Sequence, residues 1–160
     1  MSDWFERFGF AEVGDGLLVG AYPVDADDVG AIARAGAQVL VNLCQDEEYG
    51  EGQRDALAAA LESAGIEERR MPVVDYGSLP GETIERAVRE VTGELEAGRR
   101  VYLHCRAGWQ RSAAIAAGAV AVREGLDVEA ALARVRDRKP TAEPLAHQRS
   151  DLLAWWRARS

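Results

Sequence analysis

The stretch VYLHCRAGWQRSAAI, residues 101–115, joins a strand pattern to a helix pattern through a short turn. Its first residues are apolar and of a kind that favours a strand buried on both faces. From Arg111 onward, small and aliphatic residues follow one another, which is typical of a buried helix. The turn between them begins at Cys105 and contains Gly108. This order predicts one strand-to-helix unit of an α/β fold.

The rest of the chain repeats this alternation before Cys105 and becomes helical after it. Strands that alternate with helices favour right-handed crossovers and a parallel sheet. We therefore expect an α/β fold with a short, mainly parallel central sheet flanked by helices and a helical C-terminal layer. The predicted strands are 16–22, 38–44, 66–74 and 99–105, and the predicted helices are 25–36, 53–64, 82–97, 111–124, 127–137 and 144–157.

Length and charge limit the classes of protein to consider. The 160 residues show no linker or repeat, so we expect a single domain over 1–160. A net charge of −8 argues against nucleic acid as a partner and against stable membrane association. The amino terminus lacks an apolar signal region, and the longest apolar run, 113–122, is too short to span a bilayer. These features predict a cytoplasmic protein.

Cysteine and histidine are both scarce. Cys44 and Cys105 are the two cysteines, and the chain has two histidines and no CxxC pair. Two cysteines are too few for a disulfide framework, and two cysteines with two histidines in this spacing do not indicate a structural zinc site. We therefore expect no structural zinc site.

The turn after the predicted strand has the features of an anion site. A short loop that leads into a helix can turn backbone N–H groups towards an anion, and the helix N-terminus adds positive charge. Arg111 supplies a planar guanidinium that can hold two phosphate oxygens. The same positive surroundings favour the thiolate form of a cysteine. Cys105 is therefore a candidate nucleophile toward phosphorus.

A phosphate ester that is attacked in this way releases an oxygen that needs a proton. Asp75 lies in MPVVDYGSLPGE, a loop after another predicted strand, and is our candidate for general acid and then general base. Asp46 and Glu48 are alternative donors. Ser112 follows Arg111 and can donate a hydrogen bond to the sulfur when the thiolate leaves.

His104 to Ser112, HCRAGWQRS, resembles the HCxxGxxR[S/T] signature of the cysteine-dependent protein-tyrosine phosphatase superfamily, and its dual-specificity branch most closely. GLLVGAYP, VLVNLCQDEEY and HQRSDLLAWW resemble further segments of that branch. The resemblance implies an enzyme that hydrolyses phosphotyrosine in proteins through a phosphocysteine intermediate and needs neither a metal nor a cofactor. Dual specificity, which adds phosphoserine and phosphothreonine, stays open. It implies Cys105 as nucleophile, Arg111 as phosphate clamp, Asp75 as acid and base, Ser112 as the residue that releases the thiolate, and His104 as a hydrogen-bonding residue behind the loop. The implied phosphate-binding loop is Arg106, Ala107, Gly108, Trp109, Gln110 and Arg111.

Because of three loop residues, the sequence does not decide the class of substrate. Gln110 and Trp109 depart from the common residues of the branch, and Arg106 adds a positive charge of the kind that some lipid-directed members carry. A phosphoinositide, an inositol phosphate or another small phosphoester is therefore an alternative to phosphorylated protein, and a non-catalytic phosphate-binding module is a further alternative. We interpret the aromatic residues near the amino terminus, including Trp4 and Phe8, as packing residues.

Cys44 ends the predicted strand 38–44, as Cys105 ends the strand 99–105. The family resemblance implies that these strands are neighbours, and a cysteine followed by Tyr49 is similar to a segment of tensin-type phosphoinositide phosphatases. A thiol close to a reactive cysteine can trap its sulfenic acid as a disulfide. Cys44 is thus a candidate redox partner of Cys105, and the alternative is two unconnected buried thiols.

Overall fold

A five-stranded sheet with the order β1-β2-β5-β3-β4 forms the centre of the protein. The structure is a computed structural model and describes residues 1–159. The strands β2, β5, β3 and β4 run parallel to one another, and β1 pairs antiparallel with β2. The predicted α/β class with a mainly parallel sheet is thereby confirmed. The strands are β1 (Phe10–Gly14), β2 (Leu17–Gly20), β3 (Val39–Asn42), β4 (Glu67–Arg70) and β5 (Val101–His104).

Helices cover both faces of the sheet, and the central strand β5 packs against both layers. Val101 and Leu103 of β5 lie in the larger apolar core, together with residues of α4, α5, α6 and α7. Tyr102 points the other way, into a smaller core with residues of α1, α2 and α3. No helix within residues 1–159 is long and apolar enough to cross a membrane. The helices are α1 (Asp3–Phe8), α2 (Ala26–Arg34), α3 (Gln53–Ser63), α4 (Gly81–Glu96), α5 (Arg111–Glu124), α6 (Val128–Arg138) and α7 (Ala146–Arg159), with a short 3₁₀ helix at Asp46–Glu48.

The sequence patterns missed the first two elements and overextended one strand. The helix α1 has only six residues and begins at Ser2, whose side chain accepts a hydrogen bond from the Phe5 N–H. The strand β1 is joined to β2 by a tight turn at Gly16, which has a φ of 81°. The predicted strand 66–74 ends at Arg70, because the chain then leaves the sheet as an extended segment.

The parallel register brings three chain segments to one edge of the sheet. Asn42 of β3 pairs with His104 of β5 and also with Arg70 of β4, so the three strands end side by side. Ligands bind beyond the carboxyl ends of the strands in open α/β sheets. The segments that follow these strands contain Cys44, Asp75 and Cys105, and they form the site described next.

Candidate functional site

The loop of residues 105–111 connects β5 to α5 and lies against the end of β2. Gly108 has a φ of 74°, and a Cβ atom there would lie 2.6 Å from the backbone carbon of Gly20. Any larger residue would therefore collide with the strand. The Tyr22 N–H donates to the Arg106 carbonyl over 3.0 Å, which fixes the first half of the loop. Because α5 begins at Arg111, the positive end of a fourteen-residue helix lies at the loop.

Cys105 lies at the base of the loop with 3% of its surface exposed. Its Sγ is 3.2 Å from the Ser112 Oγ, and Ser112 is fully buried in the first turn of α5. A hydroxyl at this distance can donate a hydrogen bond to a sulfur anion. The structure therefore brings together the two residues that the sequence analysis paired.

His104 lies behind the loop and is buried. Its Nδ1 is 2.9 Å from the Cys105 carbonyl oxygen. Burial lowers the pKa of His104 to about 4, so the imidazole is neutral near pH 7. Because the Nδ1 faces a carbonyl, the Nδ1 carries the proton and donates it, while the buried Nε2 has no hydrogen-bond partner.

Arg111 is almost completely buried and is held by several acceptors. Its two terminal nitrogens, Nη1 and Nη2, each lie 2.8 Å from one oxygen of the Glu48 carboxylate. Nη1 also donates to the carbonyls of Leu43, over 3.3 Å, and Val73, over 3.0 Å. Burial opposes the charge on Arg111, but the hydrogen bonds and the negative charge of Glu48 outweigh it and raise the pKa of the guanidinium. The Nε is buried without a partner.

Three carboxylates were candidates for the general acid, and the structure separates them. Asp75 lies on the same pocket as Cys105, with its Oδ1 3.3 Å from the Arg111 Nη2 and about a third of its side chain exposed. Glu48 forms an ion pair with Arg111 instead. Although burial works against its charge, the hydrogen bond from Arg111 lowers the pKa of Glu48. Asp46 forms an ion pair with Arg70 at the surface.

The pocket above Cys105 has a volume of about 120 Å³ and is largely aromatic at its walls. Four of its residues are aromatic, and two of these come from the first helix, α1. The interpretation of Trp4 and Phe8 as packing residues was therefore incomplete, because both also line this pocket. The lining residues are Trp4, Phe8, Asp75, Tyr76, Cys105, Arg106, Ala107, Trp109, Gln110 and Arg111.

The helix α1 is fastened to the loop by its aromatic residues. The Trp4 Nε1–H donates to the Arg106 carbonyl over 2.8 Å. The Arg106 guanidinium carbon lies 5.4 Å from the Trp4 ring centre and 5.6 Å from that of Tyr22, so the cation stacks on two aromatic faces. Phe8 meets Trp109 edge to face, with ring centres 5.2 Å apart. No sequence pattern indicated these contacts.

Cys44 is buried at the end of β3, and both cysteines are free thiols. Its Sγ lies 3.9 Å from the Nδ1 of His104, the residue that precedes Cys105, and the two cysteines follow neighbouring parallel strands at the same edge of the sheet. Burial raises the pKa of the Cys44 thiol well above its usual value. The disulfide between Cys44 and Cys105 stays a prediction. Within residues 1–159, no group of three or more His, Cys, Asp or Glu side chains could hold a metal ion.

A family model covers the part of the chain that contains Asp75, Cys105 and Arg111. Residues 14–125 match a family model described as "Polymorphic toxin system, DSP-PTPase phosphatase". A comparison with curated protein sequences finds no significant match.

Solved structures of similar fold include several phosphatases. Tk-PTP in its active form is 21% identical, with a TM-score of 0.80 over 94% of this chain and 97% of that chain. PTPMT1 is 19% identical, with a TM-score of 0.79 over 93% and 94% of the two chains. Human DUSP28 is 24% identical, with a TM-score of 0.74 over 93% and 96%.

Proposed function

The chain belongs to the DSP-PTPase phosphatases of polymorphic toxin systems and is a cysteine-dependent phosphatase, and we propose that its substrate is phosphotyrosine in proteins. The observation that carries this proposal is the pocket in which Cys105, Arg111 and Asp75 meet beneath aromatic walls. A flat aromatic leaving group fits such walls, because ring-to-ring contacts add to the burial of apolar surface. The proposal includes phosphoserine and phosphothreonine as poorer substrates.

We assign the first chemical step to Cys105, Arg111 and Asp75. The Cys105 thiolate attacks phosphorus, a P–S bond forms, and the P–O bond to the leaving group breaks. A protonated Asp75 donates its proton to the leaving oxygen, so that a neutral phenol departs. Arg111 binds two oxygens of the phosphoryl group through its unpartnered Nε and the second N–H of Nη2, because Glu48 occupies the edge formed by Nη1 and Nη2.

The second step restores the enzyme and uses Ser112. Asp75, now a carboxylate, takes a proton from a water molecule that attacks the phosphocysteine. The P–S bond breaks, inorganic phosphate leaves, and Cys105 becomes a thiolate again. The Ser112 hydroxyl, 3.2 Å from the sulfur, donates a hydrogen bond to it at that moment. His104 supports the loop from behind by donating to the Cys105 carbonyl.

A phosphoinositide or inositol phosphate is the second candidate. PTPMT1, one of the similar solved structures, is known in complex with PI(5)P. Arg106 lies at the pocket and is exposed, which would suit a further phosphate. Its guanidinium is stacked on Trp4 and Tyr22, however, and the neighbouring wall is Trp109 rather than a second cation. These contacts support an aromatic substrate over a polyanionic one.

A hydrolysis panel tests the assignment. It compares peptides with phosphotyrosine, phosphoserine and phosphothreonine with soluble phosphoinositides and inositol phosphates, using Cys105→Ser as the blank. We expect the highest kcat/KM for phosphotyrosine, and no turnover by Cys105→Ser. A preference for phosphoinositides would contradict the proposed substrate and leave the mechanism intact. Equal turnover by both proteins would show that Cys105 is not the nucleophile. No release by the wild-type protein from any substrate would favour a non-catalytic phosphate-binding module.

A panel of aryl phosphates tests the acid. Asp75→Asn keeps the size of the side chain and removes the proton. Its loss of kcat/KM should grow as the leaving phenol becomes more basic, reaching about 100-fold for the poorest leaving group. A loss that does not depend on the leaving group would show that another residue is the acid.

A further inference from the structure

Residues 74–77 form the tight turn that carries Asp75. The Gly77 N–H donates to the Val74 carbonyl over 3.0 Å and closes the turn. Tyr76 has a φ of 59°, a left-handed conformation that residues with a side chain rarely adopt. A Cβ at Gly77 would lie only 2.8 Å from the Val74 Cβ. The turn is therefore held in a conformation that its own residues do not favour, and it needs support from other elements.

The first turn of α7 supplies part of that support through two side chains. The His147 Nε2 lies 3.0 Å from the Tyr76 carbonyl oxygen and 3.2 Å from that of Gly77. Because both partners are carbonyls, the Nε2 carries a proton and donates it to them. The Gln148 Nε2 donates to the Gly77 carbonyl over 3.2 Å. Gln148 is fully buried, and its Oε1 accepts the Leu145 N–H over 3.0 Å, so its amide is fixed at both ends.

A third contact ties the far side of the loop to the same helix. The Leu79 N–H donates to the Asp151 Oδ2 over 2.8 Å. In the described part of the chain, the hydrogen bonds that join residues 74–79 to other elements come from His147, Gln148 and Asp151. Asp75 itself has an ion pair with Arg111. Apart from this ion pair, the polar contacts that hold the turn in place come from one face of α7.

We propose that His147, Gln148 and Asp151 are positioning residues that hold the Asp75 turn over the phosphate pocket. This inference rests on the proposed function, in which Asp75 is the general acid. Proton transfer requires the donor within hydrogen-bond distance of the leaving oxygen, so a looser turn lowers the fraction of time that Asp75 spends there. Phosphate binding does not depend on the turn in this way, because Cys105 and the loop up to Arg111 are anchored elsewhere.

The test measures kcat/KM for aryl phosphates whose phenols differ in basicity. His147→Ala removes two hydrogen bonds from an exposed side chain, and His147→Asn is a second variant that is too short to reach both carbonyls. For both we expect about a tenfold loss with the most basic leaving group and less than about a twofold loss with the least basic one. His147→Gln, which can still donate, should recover most of the activity.

Ser150→Ala is the matched control, since Ser150 is exposed on α7 and bonds only the Ala146 carbonyl of its own helix. It should keep wild-type activity with every substrate. The inhibition constant of inorganic phosphate, measured for each variant, should stay within about twofold of wild type. A loss of kcat/KM that is equal for all leaving groups would overturn the positioning role. An increase in the inhibition constant of phosphate as large as the loss of kcat/KM would also overturn it.

The double variant that combines His147→Ala with Asp75→Asn separates this inference from the function on which it rests. If His147 acts through Asp75, His147→Ala causes no further loss in the Asp75→Asn background. The same loss in both backgrounds overturns the positioning role and leaves Asp75 as the acid. An Asp75→Asn variant that is insensitive to the leaving group overturns both.

Discussion

Glu48 and Arg111 form a two-point ion pair at the edge of the phosphate pocket, in which each terminal guanidinium nitrogen lies 2.8 Å from a different carboxylate oxygen. The two residues are 63 positions apart and almost completely buried. Such a pair fixes the plane of the guanidinium and leaves its remaining N–H groups to an incoming anion. Glu48, which the sequence offered only as an alternative acid, is better explained as the partner of Arg111.

Replacing Glu48 by Gln should weaken phosphate binding by about tenfold, because Arg111 is no longer fixed by two charged hydrogen bonds. The free energy of unfolding should fall by about 2–3 kcal/mol, since a buried cation loses its counter-charge. Inhibition by inorganic phosphate and urea unfolding measure the two effects. Glu47→Gln is the control, because Glu47 is exposed beside Glu48. An unchanged inhibition constant in Glu48→Gln would contradict the positioning of Arg111 by this pair.

Replacing Ser112 by Ala should slow the second chemical step. The Ser112 Oγ lies 3.2 Å from the sulfur, and the need for its hydrogen bond is greatest when the thiolate leaves. Hydrolysis of the phosphocysteine should fall by about 10- to 100-fold, whereas formation changes less. Rapid mixing with an aryl phosphate should then show a burst of phenol equal to the enzyme concentration. The absence of a burst, with a lower kcat/KM, would place the effect of Ser112 in the first step.

The lowered pKa of His104 predicts how the free energy of unfolding changes with pH. Burial lowers its pKa to about 4 in the folded protein, against about 6.5 in the unfolded chain. Between these values the unfolded chain binds more protons, so the free energy of unfolding falls as the pH falls. The neutral His104 makes its full contribution to the free energy of unfolding above about pH 6.5, and about 2–3 kcal/mol of that free energy should be lost by pH 4.5. Urea unfolding from pH 7.5 to 4.5 measures it.

His104→Asn is the matched variant for this measurement. An Asn side chain can still donate to the Cys105 carbonyl, but it does not titrate. The slope of stability against pH should therefore flatten between pH 6.5 and 4.5, where most carboxylates stay charged. A slope equal to that of the wild type would assign the effect to other groups.

The sequence predicted the parts of the site that lie close together along the chain. Cys105, Arg111 and Ser112 belong to one strand–turn–helix unit, whose hydrophobic pattern and residue spacing are local properties. Trp4 and Glu48 reach the site only through the tertiary fold, and Trp4 contacts Arg106 from 102 positions away. Their separation along the chain leaves no local pattern.

The same distinction holds for the fold. The buried strands β3 and β5 are continuous apolar runs and were predicted within three residues of their observed ends. The strand β1 was missed because its five residues, FAEVG, are only partly buried and are held by an antiparallel partner. The order in which the strands lie in the sheet depends on long-range pairing, which no single stretch of sequence contains.

Peroxide treatment should join Cys44 to Cys105. Peroxide oxidises the Cys105 thiolate to a sulfenic acid, and the Cys44 thiol then displaces water to form the disulfide. Because burial raises the pKa of Cys44, we expect this trapping to be slower than oxidation of Cys105. Mass spectrometry of digests should show the linked peptides, and activity should return with a thiol reductant. Recovery of only over-oxidised Cys105 would contradict the pairing, and Cys44→Ser is the control in which that outcome is expected.

The aromatic wall from α1 should decide between aryl and alkyl phosphates. Phe8→Ala removes the ring that meets Trp109 edge to face and widens the pocket above Cys105. We expect kcat/KM for a phosphotyrosine peptide to fall by about tenfold, because a ring contact of about 1 kcal/mol and part of the apolar burial are lost. Activity toward a phosphoserine peptide, which does not use the wall, should change by less than about twofold.

Glu6→Ala is the matched control for this wall, because Glu6 lies on α1 but not among the lining residues of the pocket. It should leave the ratio of the two activities unchanged. The ratio is the deciding measurement, since a general loss of stability in Phe8→Ala would lower both activities together. An equal fall for both peptides would show that α1 supports the loop without selecting the substrate, and a rise in phosphoinositide hydrolysis would show that the wall acts by excluding polyanions.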